Sequence, residues 1–221
     1  MSFIVAIDGP AGTGKGTIAS LVSKRFGFLN VDTGAMFRCV TLEIIRRKIE
    51  LHEIEKIEEL LSQIEISFKE ESDGQRVFLN GEDVSTEIRT KQITDIISEV
   101  SKIPQVRGRL LELQRDLAKG QSIVMEGRDI GTVVFPNADV KIYLDASAEE
   151  RTRRRIRQNE EKGIKMSYEE VLESVIKRDK IDSEREIAPL RKADDAILVD
   201  GTNMSIDECA DVVYKIIEEK M

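Results

Sequence analysis

The chain has no tryptophan, one histidine, two cysteines, four prolines and few aromatic residues. Cys39 and Cys209 lack metal-like spacing, which predicts a reduced, cytosolic chain, and both fall on helical faces where core filling is the expectation. His52 stands in the charged helical stretch ELHEIEK and reads as solvated surface, so imidazole catalysis is not expected. No apolar run approaches the ~18 residues that a membrane span needs. The opening MSFIVAIDGP has no basic stretch ahead of its short apolar run, which predicts a buried strand and not a signal peptide. Positive charge is also in deficit: 34 basic against 42 acidic residues give a net charge of −8, the wrong sign for a general nucleic-acid coat. Repeats, low-complexity linkers and a methionine stripe are absent as well.

What is present is enough for a real core, with 40% hydrophobic and 34% charged residues arguing against disorder. FIVAI (3–7) is a continuous apolar run of the kind found in the centre of a parallel sheet. Ile18, Leu21, Val22 and Phe26 recur at helical spacing, FLNV (28–31) reads as a short strand, and 34–48 reads as a helix. The texture then changes. IEISFK (64–69) alternates strictly, SDGQ predicts a turn, RVFLN a second strand, and Asn80-Gly81 another tight turn. That antiparallel insert interrupts an α/β rhythm that resumes with a helix at about 104–118 and strands at 122–126, 140–146 and 196–200. Ser147, Ser167 and Ser205 each precede a glutamate by three residues, the pattern that satisfies orphan amides at a helix start. The last of these starts a final helix running to Lys220. Strands alternating with helices predict a doubly wound α/β domain with insertions.

The segment GPAGTGKGT spans Gly9, Pro10, Ala11, Gly12, Thr13, Gly14, Lys15, Gly16 and Thr17, after a strand and at the opening of a helix. It matches the phosphate loop G-x-x-x-x-G-K. Glycines let backbone N–H groups approach phosphate oxygens, the helix aims its positive end at the same anion, and Lys15 adds a point charge for the β- and γ-phosphates. The pattern calls for Ser or Thr after the lysine; here Gly16 stands there and Thr17 follows. A second charged feature is RTRRRIRQNEEKG (151–163), with five arginines ending at a glycine. Two readings stand: a solvated helix face paired with Glu149, Glu150, Glu160 and Glu161, or a set of cations, Arg151, Arg153 and Arg157 among them, that reach a transferring phosphate. An acidic chain with local arginine clusters suits small anionic ligands.

The variant G-x-x-G-x-G-K-G-T resembles the nucleoside monophosphate kinase branch of phosphate-loop proteins. VDTGAMFR (31–38), IRT (88–90), EGRDIGTVVFPNADVKIYLDAS (126–147) and RDKIDSEREIAPL (178–190), in that order, are similar to bacterial cytidylate kinases. The resemblance runs nearly end to end. It implies an α/β phosphate-loop kinase domain over 1–221, with five parallel strands flanked by helices. Its core would cover about 1–33, 106–147 and 164–221, a monophosphate-binding insert about 34–105, and a mobile lid about 148–163. It implies ATP and CMP or dCMP as substrates, Mg2+ with the ATP, and a cytoplasmic monomer without nucleic-acid or membrane partners.

Residue by residue, the resemblance assigns Asp32, Thr33 and Arg38 to the monophosphate side, with threonine where the family often has serine. Ser98 and Arg107 align with positions that read the cytosine edge. Arg128 matches a phosphate arginine and Asp129 a base-reading acid; capping a helix is the alternative for Asp129. Arg178 and Asp182 match ribose and phosphate contacts, and Arg185 a substrate-phosphate arginine. Glu126 stands where the family commonly has aspartate. No direct protein cage for the metal is expected; Mg2+ would be held through phosphates and water, with Thr17 and Glu126 nearby.

The implied chemistry suits these residue types. The acceptor is a phosphate oxygen already ionised near neutral pH, so positioning and charge neutralisation by Lys15, Arg128 and the lid arginines carry the reaction. Cytosine N4 donates hydrogen bonds where uracil O4 accepts them, so an acceptor such as Asp129 favours cytosine. The alternatives are a kinase for another small acceptor, such as UMP or shikimate, and a nucleotide-dependent switch, which needs one nucleotide site and an effector surface.

Overall fold

The computed structural model describes residues 2–71, 74–161 and 163–221. In chain order, strand β1 (Ile4–Asp8) leads through the glycine loop into helix α1 (Lys15–Phe26), then strand β2 (Leu29–Asp32) and helix α2 (Thr33–Arg46). Helix α3 (Ile54–Gln63) precedes strands β3 (Ile66–Glu71), β4 (Gly74–Leu79) and β5 (Glu82–Asp83). Helices α4 (Lys91–Val100) and α5 (Pro104–Leu117) follow. Strand β6 (Ile123–Gly127), a wide helical turn at Ile130–Val134, strand β7 (Val140–Asp145), helices α6 (Ala148–Glu161) and α7 (Tyr168–Glu184), strand β8 (Ile197–Asp200) and helix α8 (Ile206–Glu218) complete the chain.

The strands predicted at both ends of the sequence form one five-stranded parallel sheet in the order β2-β6-β1-β7-β8. This is the predicted α/β arrangement. β1 is central because it is apolar on both faces: Val5, Ala6 and Ile7 are fully buried.

The chain divides into two compact units, Met1–Leu29 with Gly120–Met221, and Asn30–Lys119. In the first, α1 and α8 pack together, and Ile18, Val22, Val213 and Ile217 bury against Val5 and Ile7 of β1. Full burial of such a side chain contributes about 1.5–3 kcal/mol, so this apolar seam dominates over the exposed Arg25–Glu218 ion pair that also joins the two helices. Ser167 and Ser205 each form the predicted reciprocal capping box, with Glu170 and Glu208. The Ser147 hydroxyl accepts from the Glu150 amide.

The second unit carries the predicted antiparallel insert as a three-stranded sheet, β3-β4-β5. Asn80 and Gly81 both take left-handed backbone, at φ 50° and 83°, as a tight hairpin turn requires. Ser72 and Asp73, in the predicted SDGQ turn, lie outside the described residues, as does Lys162 of the arginine-rich segment. α2 packs on α4 and α5, and α3 on α5. Their shared core includes Met36, Ile57, Leu60, Ile93 and Leu110. Cys39 and Cys209 are buried and unbridged, and burial pushes the Cys39 thiol up to about 12, which suits filling and not reactivity.

Candidate active site

The glycine loop lies where β1 ends and α1 begins. Gly9 is obligatory on steric grounds: a Cβ there would stand 2.0 Å from the Leu144 carbonyl oxygen of the neighbouring strand. Gly14 caps α1 in the left-handed region, φ 95°, with no side chain on the first-turn amides. Those amides therefore face outward as donors, beside the dipole's positive end. Lys15, 5% exposed, folds its Nζ back to the Pro10 carbonyl at 2.8 Å, and the Thr13 hydroxyl donates to the same oxygen at 3.2 Å. Burial lowers the Lys15 ammonium to about 7; Arg128 and Arg178 push the same way, against Glu126 and Asp8. A buried lysine among guanidinium groups is a site prepared for an anion.

Four of the predicted acceptor residues form two ion pairs in the first unit. Arg128 Nε donates to Asp182 Oδ2 at 2.8 Å. Arg185 Nη2 donates to Asp129 Oδ1 at 3.2 Å, with both side chains nearly buried. Arg185 Nε donates to the Ala188 carbonyl at 2.6 Å, and the Leu190 amide to the Asp182 carbonyl at 2.8 Å. The loop after α7 is thus folded back onto the helix that carries Arg178 and Asp182. Asp129 makes no side-chain cap to the turn that follows it, so its carboxylate is not the cap of that turn.

The second unit holds the other predicted residues. Asp32 caps α2, its Oδ1 accepting from the Ala35 amide at 3.0 Å, and Thr33 is the buried first residue of that helix. Arg38 donates to the Ile88 carbonyl and to the Thr94 hydroxyl, both at 3.1 Å. Ser101 brings Ser98 and Arg107 together: its carbonyl accepts from Arg107 Nη1 at 3.2 Å, and its hydroxyl donates to the Ser98 carbonyl at 2.9 Å. The Arg107 guanidinium lies over the Phe37 ring, 5.5 Å from its centroid.

The arginine run divides by helical spacing. Arg151 is buried: its guanidinium reaches the carbonyls of Ala146 (2.9 Å) and Ala11 (3.2 Å) and the Asp179 carboxylate. One turn on, Arg154 donates to the Thr13 carbonyl at 3.1 Å and the Gly201 carbonyl at 2.6 Å. Arg153 and Arg157 are exposed on α6, Arg153 with Glu150 at 3.3 Å. Asp8, Arg154 and Asp179 are site residues that sequence reasoning missed. Arg151 and Arg154 are three residues apart and share a helix face, which was available in the sequence.

The profile of the cytidylate kinases matches residues 5–219. The chain belongs to the cytidylate kinase family. Among curated cytidylate kinases, the Bacillus subtilis protein is 45% identical over 216 residues, 98% of this chain and 96% of the relative. That of Carboxydothermus hydrogenoformans is 49% identical over 214 residues, 97% and 95% of the two chains. Among solved structures, an uncharacterized protein from Eubacterium ventriosum shares the fold with TM-score 0.55 and 14% identity, over 99% of both chains. A protein of Thermus thermophilus does so with TM-score 0.50 and 17% identity, over 100% of this chain and 98% of the other. The cytidylate kinase relationship therefore rests on the sequence matches, and the structural likeness speaks for the fold alone.

Proposed function

We propose that the chain transfers the γ-phosphoryl group of ATP to CMP or dCMP, giving CDP or dCDP. The observation that carries this is the cytidylate kinase match across 5–219. On this reading the loop 9–17 holds the ATP phosphates and Lys15 neutralises the transferred group. Arg128, Arg178, Asp182 and Arg185 hold the acceptor's phosphate and ribose. Asp32, Thr33 and Arg38 belong to the monophosphate side, and Ser98, Arg107 and Asp129 to the cytosine edge. Arg153 and Arg157 act from a lid of about 148–163, with an insert of about 34–105 and a core made of the rest. Arg151 serves the same chemistry by holding the loop backbone. Excluding water at closure suppresses futile hydrolysis.

Mg2+ is the cofactor on this reading. Among the described residues no group of three or more His, Cys, Asp or Glu side chains is arranged to hold a metal. Two oxygens near the loop suit it, the exposed Thr17 hydroxyl and the Glu126 carboxylate, whose Oε1 lies 2.8 Å from where a Gly16 Cβ would be. Hard oxygen donors, few in number, fit an ion that keeps several waters and is bound mainly through phosphates. Thr17 and Glu126 would hold it and its waters, and the ion supplies charge neutralisation on the phosphates. A net charge of −8 supports small-molecule substrates over nucleic acid, and among the described residues no helix is long and apolar enough to cross a membrane. The reading takes the protein as a cytoplasmic monomer.

A coupled assay across the common nucleoside monophosphates tests it, with ATP turnover measured with and without acceptor. CMP and dCMP should be turned over fastest, and Lys15→Ala should lower kcat by orders of magnitude while the fold survives. Turnover that prefers UMP would move the chain to another acceptor, and near-normal Lys15→Ala activity would remove the phosphate-loop assignment.

A further inference from the structure

Asp8 closes β1 immediately before the phosphate loop, and sequence reasoning gives it no role. Its side chain is buried, and it accepts two backbone hydrogen bonds from far along the chain: the Ile130 amide donates to Oδ1 at 2.8 Å and the Gly131 amide to Oδ2 at 2.7 Å. These are the first two amides of the turn Ile130–Val134. The turn is closed by the Val133 and Val134 amides on the Asp129 carbonyl and by the Phe135 amide on the Ile130 carbonyl, at 2.9, 3.2 and 2.7 Å. A helical turn leaves its first amides without partners, and the residue before it ordinarily caps them with its own side chain. Here Asp129 holds that place, with φ −144° and ψ 24°, and makes no such bond. Asp8 makes it instead, from the central strand, where it is in register with Gly127 and Tyr143. The fit is close: a Cβ on Gly131 would stand 3.4 Å from Asp8 Oδ2 and 3.2 Å from Lys141 Cδ.

We infer that Asp8 is a positioning residue for the acceptor: by capping the turn after Asp129 it takes over the cap that Asp129 would otherwise form for itself, and so leaves the Asp129 carboxylate to Arg185 and the base. The inference rests on the base-reading role given to Asp129 above. The phosphate loop begins one position after it, at Gly9. One rigid strand end therefore sets both the start of that loop and the backbone that carries Arg128 and Asp129.

Asp8→Asn is the test. An amide oxygen can accept one of the two N–H groups, and its NH2 then faces the other, so the turn shifts without a change of side-chain shape. We expect kcat/KM for CMP to fall about tenfold or more, KM for ATP to stay within about twofold, and the CMP-to-UMP ratio in kcat/KM to narrow. Gly131→Ala sets a methyl beside the same bond, 3.2 Å from Lys141 Cδ, and should move the ratio in the same direction by less; it carries the test if Asp8→Asn does not fold. Equal losses for both nucleotides with the base ratio intact would make Asp8 a scaffold residue and overturn the inference. Asp129→Asn, run in parallel, separates the failures. If it narrows the ratio and neither Asp8→Asn nor Gly131→Ala does, positioning by Asp8 fails alone; if it leaves the ratio unchanged, the base-reading role fails and takes this inference with it.

Discussion

Arg151 grips Asp179 with both ends of its guanidinium, Nη1 to Oδ1 at 2.9 Å and Nη2 to Oδ2 at 2.6 Å. The same group holds the Ala11 carbonyl, so α7 is tied through one side chain to the backbone of the phosphate loop. A fork of this kind is not replaced by an ammonium. Removing one partner of a buried pair typically costs about 3–5 kcal/mol, and partial exposure of Asp179 puts this one near ~3 kcal/mol. Asp179→Asn and Arg151→Lys should both lower the urea midpoint and raise KM for ATP more than KM for CMP. Equal Michaelis constants to wild type in both variants would sever the pair from the loop.

Arg153 and Arg157 differ from Arg151 in being exposed, and the Arg153–Glu150 pair lies at the surface. Exposed pairs contribute ~1 kcal/mol or less. Neutralising both arginines to Gln should therefore leave stability nearly unchanged and reduce kcat by about tenfold or more, with KM for CMP within about twofold. Initial rates over a CMP titration give both numbers. A loss confined to KM would assign these cations to ground-state binding.

Asp129 tests base identity. Facing cytosine N4, its carboxylate gains a charge-assisted hydrogen bond; facing uracil O4 it meets a second acceptor. An unpaired buried acceptor costs ~1–3 kcal/mol, more when charged. Asp129→Asn should lose much of its CMP activity and narrow the CMP-to-UMP ratio in kcat/KM by at least about tenfold, at ~1.4 kcal/mol per decade. Since Asp8 and not Asp129 caps the turn, the stability loss should include the Arg185 pair and leave the turn's cap intact. A variant that unfolds more readily with its base preference intact would return Asp129 to the scaffold.

Asp8 also sets a pH dependence. Burial raises its carboxyl from the usual 3.8 to about 6, against the lowering effect of the Gly131 and Ile130 amides; nearby Asp129 raises it further and Lys15 lowers it. The folded value lies above the unfolded one, so the stability from this proton is complete below 3.8 and lost as pH rises through 6. At ~1.4 kcal/mol per pH unit the loss is on the order of 3 kcal/mol. Asp8→Asn has no proton to lose. Urea denaturation of both proteins at about pH 4 and pH 7 should show the variant gaining on wild type by roughly that amount. A constant difference across the range would mean that Asp8 is not raised.

The sheet was legible because its strands are apolar runs bounded by glycine or polar residues, and the phosphate loop because its spacing is itself a geometric requirement. α4 was not read, although Ile93, Ile97 and Val100 mark one buried helical face; it follows a hairpin insert where the rhythm had already changed. The turn at Ile130–Val134 left no trace in IGTVV, a β-rich sequence, because what holds it is a carboxylate more than 120 residues away. The arginine run showed its charge but not its division, since only packing of α6 on α7 decides which arginines turn inward.

Gly16 and Glu126 have an evolutionary consequence. With Glu126 Oε1 standing 2.8 Å from where a Cβ on residue 16 would be, the serine or threonine usual in phosphate loops at that place would displace the carboxylate. A shorter aspartate at 126 would relieve the crowding. The two positions should therefore show epistasis: of the four combinations only serine or threonine at 16 with glutamate at 126 is crowded, glycine accepts either carboxylate, and substitution effects at 16 and 126 will not add.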